Sequence, residues 1–514
     1  MFWKKVLAVS LITSAMSTGV QASSTDVVST NVPLTSPLYG YIEKFDGLGY
    51  LTSMPTGTKP YTRMQMAKWV EEIQAEAKKR PLPQYLLSVK AEMERELAPE
   101  LAVRAGGKIK TDITLKEFRL EAASYSGDFL RYRMDAGSGP RATYQPFGNN
   151  NNGYRYGQNG NFIASARIAG NLSHDVAIAL EPRFSYDGDR NEDVSLISGY
   201  IKTRINGTAI QIGKEPVFWG HGATGSLILG NNMEPLTSIK LSNIEPYETK
   251  GFFRFLGEMN LTALYSELEN DRTKHNAQEV NNPSYVAIRG NFTPKDNITF
   301  GLSFASMVGG EGKGMSRSDY WDWVLGRNDE AADDKWNNIA GWDFKIRLPH
   351  LRGTQVYGEF YGEDQVNYHP AKIAKRIGIY LPRLNQDGAW DLTLEYAQTN
   401  RSWYSHQLYK NGYVYKGNII GDPMGYDSKQ YYLKIGHYLN KKSQISFNAQ
   451  HTAMNQSSSI QQTVKAGWLQ YQTQLKDQLL LTGTLGLAKV DNADFTNGHN
   501  ETNHFAGMSL NWSY

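Results

Sequence analysis

The 514-residue chain has no cysteine. That absence removes disulfide staples, thiolate metal sites and cysteine nucleophiles together. Beyond the N-terminus there is no run of about eighteen apolar residues, so no helix of this chain is built to span a bilayer. Charge is nearly balanced at a formal +3, falling to +1 once Lys4 and Lys5 are removed, which gives no electrostatic case for nucleic acid. The ten histidines include no H-x-x-x-H pair and no His–carboxylate cluster at ligand spacing, and the G-x-S-x-G elbow is missing. The sequence therefore points to no metal, no cofactor and no catalytic pair.

What is present starts with MFWKKVLAVSLITSAMSTGVQA. Lys4 and Lys5, the short apolar run Val6 to Met16 and the small-residue Val20-Gln21-Ala22 read as a secretory signal peptide over 1–22. Aromatics make up 12% of the chain, with 31 tyrosines, which is high for an ordinary secreted enzyme. The last residues, GMSLNWSY, place Met508, Leu510, Trp512 and Tyr514 on one strand face and Gly507, Ser509, Asn511 and Ser513 on the other. An apolar face ending on an aromatic residue resembles the terminal strand of bacterial outer-membrane barrels.

Between these ends the hydrophobic period changes once. Residues 37–98 read as three short helices, with Thr62 placed to cap the second and Met66, Val70, Ile73 and Ala77 striping one face. The third carries Leu86, Val89, Met93 and Leu97, and Leu38, Ile42 and Phe45 mark a weaker first helix. Beyond about 110 the period is two. Ile298, Phe300, Leu302 and Phe304 alternate with Thr299, Gly301 and Ser303, and Ala340 to Leu348 and Trp390 to Tyr396 behave alike. Tight turns near 172–175, 206–207, 257–260, 293–296, 349–353, 385–388, 439–442 and 475–478 alternate with long polar connections. The long ones fall near 134–160, 187–193, 216–248, 268–283, 309–338, 363–372, 398–427, 452–459 and 489–500. Alternating strands joined by short turns on one side and long loops on the other predict a transmembrane antiparallel β-barrel of about 18 strands, preceded by an N-terminal helical segment. The expected division is 1–22 signal peptide, 23–105 helical region, periplasmic or plugging the barrel, and 106–514 barrel.

Gly220-His221-Gly222-Ala223-Thr224-Gly225 matches G-x-G-x-x-G, follows a strand-like TAIQIG and precedes Glu245 by twenty residues. A dinucleotide loop, however, needs parallel strands with crossover helices. Here the flanking strands alternate and return through hairpins, so the glycines belong to a long connection after the fifth strand. They are expected to serve a left-handed φ or close packing in a confined space.

Lys202, Arg204, Lys345, Arg347, Glu359, Glu363 and Glu395 fall on inward faces. Such mixed-sign ladders hold a barrel interior together or bind a plug; the functional alternative is a polar track for a sugar chain. The connection at 309–338 carries Tyr320, Trp321, Trp323 and Trp336, and that at 398–427 carries Trp403, Tyr404, His406, Tyr409, Tyr413 and Tyr415. These rings suit either an interfacial girdle or sugar stacking, with neighbouring Asn, Asp and Arg meeting the hydroxyls. The candidate polysaccharide contacts are Tyr320, Trp321, Trp323, Trp336, Tyr404, His406, Tyr409, Tyr413 and Tyr415, with Arg347 and Glu359 inside the barrel.

Three stretches, IGKEPVFWGHGATGSLILGNNMEPLTSIKL, AGWDFKIRLP leading to GTQVYGEFYGEDQ, and YSHQLYKNGYVYKGNIIGDPMGYDSKQYYLKI, resemble the Wzi family of outer-membrane capsule-assembly proteins. The resemblance extends over most of 35–514. It implies a monomeric eighteen-stranded barrel with associated helices, located in the outer membrane and binding capsular or exopolysaccharide in a lectin-like, non-enzymatic way. The expected partners are that polysaccharide, outer-membrane lipid and the barrel-assembly machinery during biogenesis, with no nucleic acid. The alternatives are a porin for small sugars and a surface hydrolase.

Overall fold

The computed structural model describes residues 27–133, 140–274, 276–324, 335–366 and 369–514; the expected signal peptide lies outside them. The period-two pattern builds eighteen barrel strands. The first nine are β1 (Ile113–Ser126), β2 (Asn159–Ser173), β3 (Val176–Tyr186), β4 (Glu192–Ile205), β5 (Thr208–Lys214), β6 (Thr237–Asn243), β7 (Glu258–Glu267), β8 (Ser284–Lys295) and β9 (Ile298–Val308). The others are β10 (Trp336–Leu348), β11 (Thr354–Gly362), β12 (Ala374–Leu381), β13 (Trp390–Gln398), β14 (Ser428–Tyr438), β15 (Ser443–Met454), β16 (Gln462–Lys476), β17 (Leu479–Asp491) and β18 (Glu501–Ser513). Each pairs antiparallel with its sequence neighbours. β1 closes the barrel against β18, with Phe118 opposite Trp512 and Leu120 opposite Leu510.

The two faces are the reverse of a soluble protein's. Ile201, Ile212, Leu302, Trp342, Leu394, Phe447 and Leu485 stand exposed on the outside, while Arg289, Asp343, Glu359 and Arg376 are wholly buried within. An apolar exterior and a polar interior are what a barrel in lipid requires. No described helix is long and apolar enough to cross a membrane.

One strand lies where the sequence did not place it. The fifth connection ends at 236, not 248, and β6 follows at once. The stretch 249–256, which the expected turn at 257–260 leaves for a strand, contains instead a 3-10 turn at Gly251–Leu256. Gly251 (φ +63°) and Gly257 (φ +68°) curl this segment, and Phe252, Phe253 and Phe255 project outward at the short-turn rim.

The helical segment forms α1 (Leu38–Gly47), α2 (Arg63–Lys79), α3 (Gln84–Glu96) and a fourth, unforeseen helix α4 (Ala98–Arg104), which has a proline in its first turn. The Thr62 side chain accepts a hydrogen bond from Gln65 N, capping α2 as its sequence implies. Met66, Val70, Ile73, Leu86, Val89, Met93 and Leu97 merge into one core. That core sits on the short-turn end: Tyr85 Oη donates to Asp387 O at 3.1 Å, Lys68 meets Glu258 at 3.3 Å, and Arg104 approaches Glu245 at 3.7 Å.

α1 goes further, into the lumen. Lys44 Nζ reaches Asp391 and Pro382 O, both at 2.8 Å, and Asp46 takes Arg347 Nη1 and Gln355 Nε2, both at 2.6 Å. The extended segment before α1 lies along the wall, where Asn31 N donates to Tyr200 Oη at 2.9 Å and Arg167 Nη2 donates to Asn31 O at 2.9 Å.

α3 carries a titrating contact. Glu92 accepts from Tyr41 Oη and from Gln474 Nε2 of β16, and burial, with Glu96 close by, pushes its carboxyl up to about 7. A folded pKa above the ordinary 4.5 means that the folded state holds the proton more tightly. The stabilisation is complete below 4.5 and is lost as pH rises through 7. Amide exchange in α3 should therefore accelerate over that window beyond the intrinsic pH effect. Glu92→Gln should abolish the excess; an unchanged excess would contradict the assignment.

Candidate functional site

After β5 the chain does not loop outward. Phe218-Trp219 pairs with Thr58-Lys59 in an antiparallel bridge, and Gly220 N donates to Gly57 O at 2.7 Å. The glycine motif then wraps two carboxylates of the barrel wall. Glu359 on β11 accepts from His221 N (3.0 Å), Gly222 N (2.9 Å) and Leu227 N (3.1 Å). Glu395 on β13 accepts from Ala223 N (2.7 Å) and Thr224 N (3.3 Å). Successive backbone N–H groups make an anion cradle. Here the anions are the protein's own side chains.

The glycines are required by contact. A Cβ at Gly220 (φ +131°) would lie 2.3 Å from Glu359 Oε1, and one at Gly222 would lie 2.2 Å from Gly225 O and 2.8 Å from Arg376 Cδ. Arg376 on β12 ties the arrangement together, bonding Glu395, Asp422 and Thr224 Oγ1, the last at 2.6 Å. Beside it Arg289 pairs with Asp343, bonding its Oδ1 at 2.8 Å. Burial pushes the His221 imidazole down to about 3, so the ring is neutral where it meets Asp343 at 3.4 Å.

The connection 399–427 completes the plug. Trp403, Tyr404, Tyr409 and Tyr413 are wholly buried, and Tyr404 stacks on Tyr413 with centroids 5.3 Å apart. Their hydroxyls end on backbone carbonyls of the first plug segment: Tyr404 Oη on Leu227 O at 2.6 Å, Tyr413 Oη on Ile228 O at 2.8 Å. Tyr409 Oη donates to Gly309 O at 2.9 Å. A buried tyrosine needs such a partner.

The expected contact residues are thus divided. Tyr320 and Trp321 lie on α5 (Arg317–Val324) at the long-connection end and are 39% and 63% exposed. Trp323, on the same helix, turns inward and donates Nε1 to Ser306 Oγ at 3.0 Å, while Trp336 is buried at the start of β10. Tyr404, Tyr409 and Tyr413 are committed to the plug, so their faces are not open to a sugar. Tyr415 is nearly buried, with Lys416 Nζ 5.6 Å from its ring centre, and half-buried His406 lies 5.5 Å from the Tyr409 ring. Arg347 and Glu359 likewise hold α1 and the glycine loop. Arg376, Asp422, Arg289 and Asp343 were not singled out from sequence. Inward parity marks the three on strands, whereas nothing local marks Asp422.

The plug does not fill the lumen. On the β14–β18 side it leaves one cavity of about 320 Å³ and a second of about 470 Å³ toward the helices, and Ala223, Tyr432 and Gln470 border both. Among the described residues no group of three or more His, Asp or Glu side chains is placed to hold a metal ion.

Comparison with known proteins agrees with this architecture. Residues 141–505 match the profile of the family described as capsule assembly protein Wzi. A Klebsiella pneumoniae protein, described as an uncharacterized 55.8 kDa protein in the cps region, is 27% identical over 208 residues. That match covers 40% of this chain and 38% of the Klebsiella protein's length. The Escherichia coli Wzi structure, described as an outer-membrane carbohydrate-binding β-barrel involved in group 1 capsule assembly, superposes with a TM-score of 0.69 at 20% identity. It covers 95% of this chain and 99% of that one, which establishes the shared fold. With the profile match running from the connection after β1 into β18, the chain belongs to the Wzi family of capsule assembly proteins.

Proposed function

We propose that this protein is a non-enzymatic outer-membrane barrel that binds surface or capsular polysaccharide and supports its assembly or attachment at the cell surface. The observation that carries the reading is the built-in plug. Two inward segments and α1 satisfy the lumen's charges, so the long-connection end is a fixed platform and not the mouth of a wide passage. Tyr320 and Trp321 stand on that platform with open rings. The E. coli relative's carbohydrate binding and role in capsule assembly support the same reading. Weak stacking and hydrogen-bonded contacts, repeated along a polymer, hold durably through avidity.

The porin alternative needs an open lumen, and the Arg376 network opposes it. A hydrolase needs a carboxylate free to act, yet Glu359 and Glu395 are occupied by backbone donors. The test is titration of the purified full-length barrel in detergent with the producing cells' polysaccharide. Replacing both Tyr320 and Trp321 with alanine should weaken binding about tenfold, since each stacked ring is worth about 0.5–1.5 kcal/mol. Unchanged binding in the double variant would remove the platform from the account.

A further inference from the structure

The lumen is chemically asymmetric. On the β8–β13 side the buried charges are consumed: Arg289 pairs with Asp343, Arg376 with Glu395 and Asp422, and Glu359 with backbone donors of the glycine loop. The β14–β18 side is different: its inward residues include Gln450, Gln470, Thr482 and Thr484, which face the 320 Å³ cavity. Rings run along the cavity in contact order. Tyr156 meets Phe505 at 5.0 Å, Phe505 meets Phe147 at 5.5 Å, Phe147 meets Trp468 at 6.2 Å, and Trp468 meets Tyr432 at 6.1 Å.

The charged residues lining this cavity, Arg119 and Glu121, neutralise each other at 2.7 Å, and Tyr156 Oη also donates to Glu121 at 2.6 Å. A strip of rings beside amides and hydroxyls, with no unbalanced charge, is the lining that a neutral sugar demands. The rings meet its apolar face, and the amides exchange hydrogen bonds with its hydroxyls. A phosphate or uronate would find no uncompensated cation. The volume lies at the small end of ligand pockets, roughly 300–1,000 Å³.

We infer that this cavity is an internal binding site for a neutral saccharide unit, held on the partly open rings of Phe147, Trp468 and Tyr432, with the buried Phe505 and Tyr156 packed behind Phe147. The inference rests on the polysaccharide reading and deepens it, because the barrel then holds a segment of the polymer inside as well as on its outer face. Half-exposed Asn149 and Asn150, on the connection between β1 and β2, border the cavity. At Tyr432 and Gln470 it abuts the 470 Å³ cavity, so the site extends toward the helices.

The test uses the full-length protein in detergent, with neutral disaccharides from partial acid hydrolysis of the producing cells' polysaccharide, and uronate-containing disaccharides as the charged control. Saturation-transfer NMR should detect binding of the neutral fraction. Trp468→Ala should weaken it at least tenfold, as should Gln470→Leu, which keeps the ring strip intact should Trp468→Ala disturb folding. Polymer binding without neutral-disaccharide binding would overturn the internal site while leaving the surface reading in place. Loss of both would overturn both. A preference for the uronate fraction, or binding indifferent to both cavity variants, would also overturn the internal site.

Discussion

Arg376→Met is expected to detach the plug from the barrel wall. The guanidinium is wholly buried and bonds Glu395, Asp422 and Thr224 Oγ1, so it joins β12 to β13, to the glycine loop and to the 399–427 connection. Methionine fills much of the same space without the charge. Two buried carboxylates then lose their cation, and breaking a buried pair from one side costs about 3–5 kcal/mol. The barrel's own hydrogen bonds are untouched, so the loss should fall on the plug. Limited proteolysis should cut within 399–427 in the variant and spare it in the parent, and planar-bilayer recordings should show conductance only in the variant. Equal protection and equal silence would mean that the network does not hold the plug.

Gly222→Val attacks the same contact from the loop side. A Cβ there lies 2.2 Å from Gly225 O, so the cradle has to open and Glu359 loses its closest backbone donor at 2.9 Å. Overpacking costs about 1–3 kcal/mol, to which the weakened charge-assisted bonds add. Because Gly222 and Arg376 are parts of one network, the effects should not add. The double variant should be barely worse than Arg376→Met in a plug-release assay with a graded readout, such as the protease concentration for half cleavage. Full additivity would show that loop and arginine act separately.

These two residues also mark how far the sequence could be read. Period-two alternation is a local property, so strands such as Ile298–Val308 and Trp390–Gln398 and the alternation of short and long connections were legible. β6 was harder. In TSIKLSN only Ile239 and Leu241 alternate with polar neighbours, whereas GFFRFL is apolar enough to pass for a strand until its flanking glycines turn it. Strand parity fixes which way Lys345, Arg347, Glu359 and Glu395 point, so their inward placement was legible; the choice between a plug and a sugar track was not, and the structure turns them onto α1 and the glycine loop.

The aromatic connections were the ambiguous part. A plug core and a sugar platform draw on the same residues, Tyr and Trp among Asn and Asp. What separates Tyr404 from Trp321 is whether a second distant segment arrives to cover the ring. Leu227 and Ile228, nearly two hundred residues before Tyr404 and Tyr413, supply that cover. No window of sequence contains both. The G-x-G-x-x-G stretch shows the same limit: its backbone does cradle anions, but those anions lie on β11 and β13.

The most direct measurement deletes the gene for this protein from the producing cells and compares cell-bound polysaccharide with that released to the medium. A binding barrel predicts that polymer shifts from the bound to the released fraction while total synthesis stays the same. An unchanged partition, together with lost uptake of a small solute, would contradict it and make the barrel a passage.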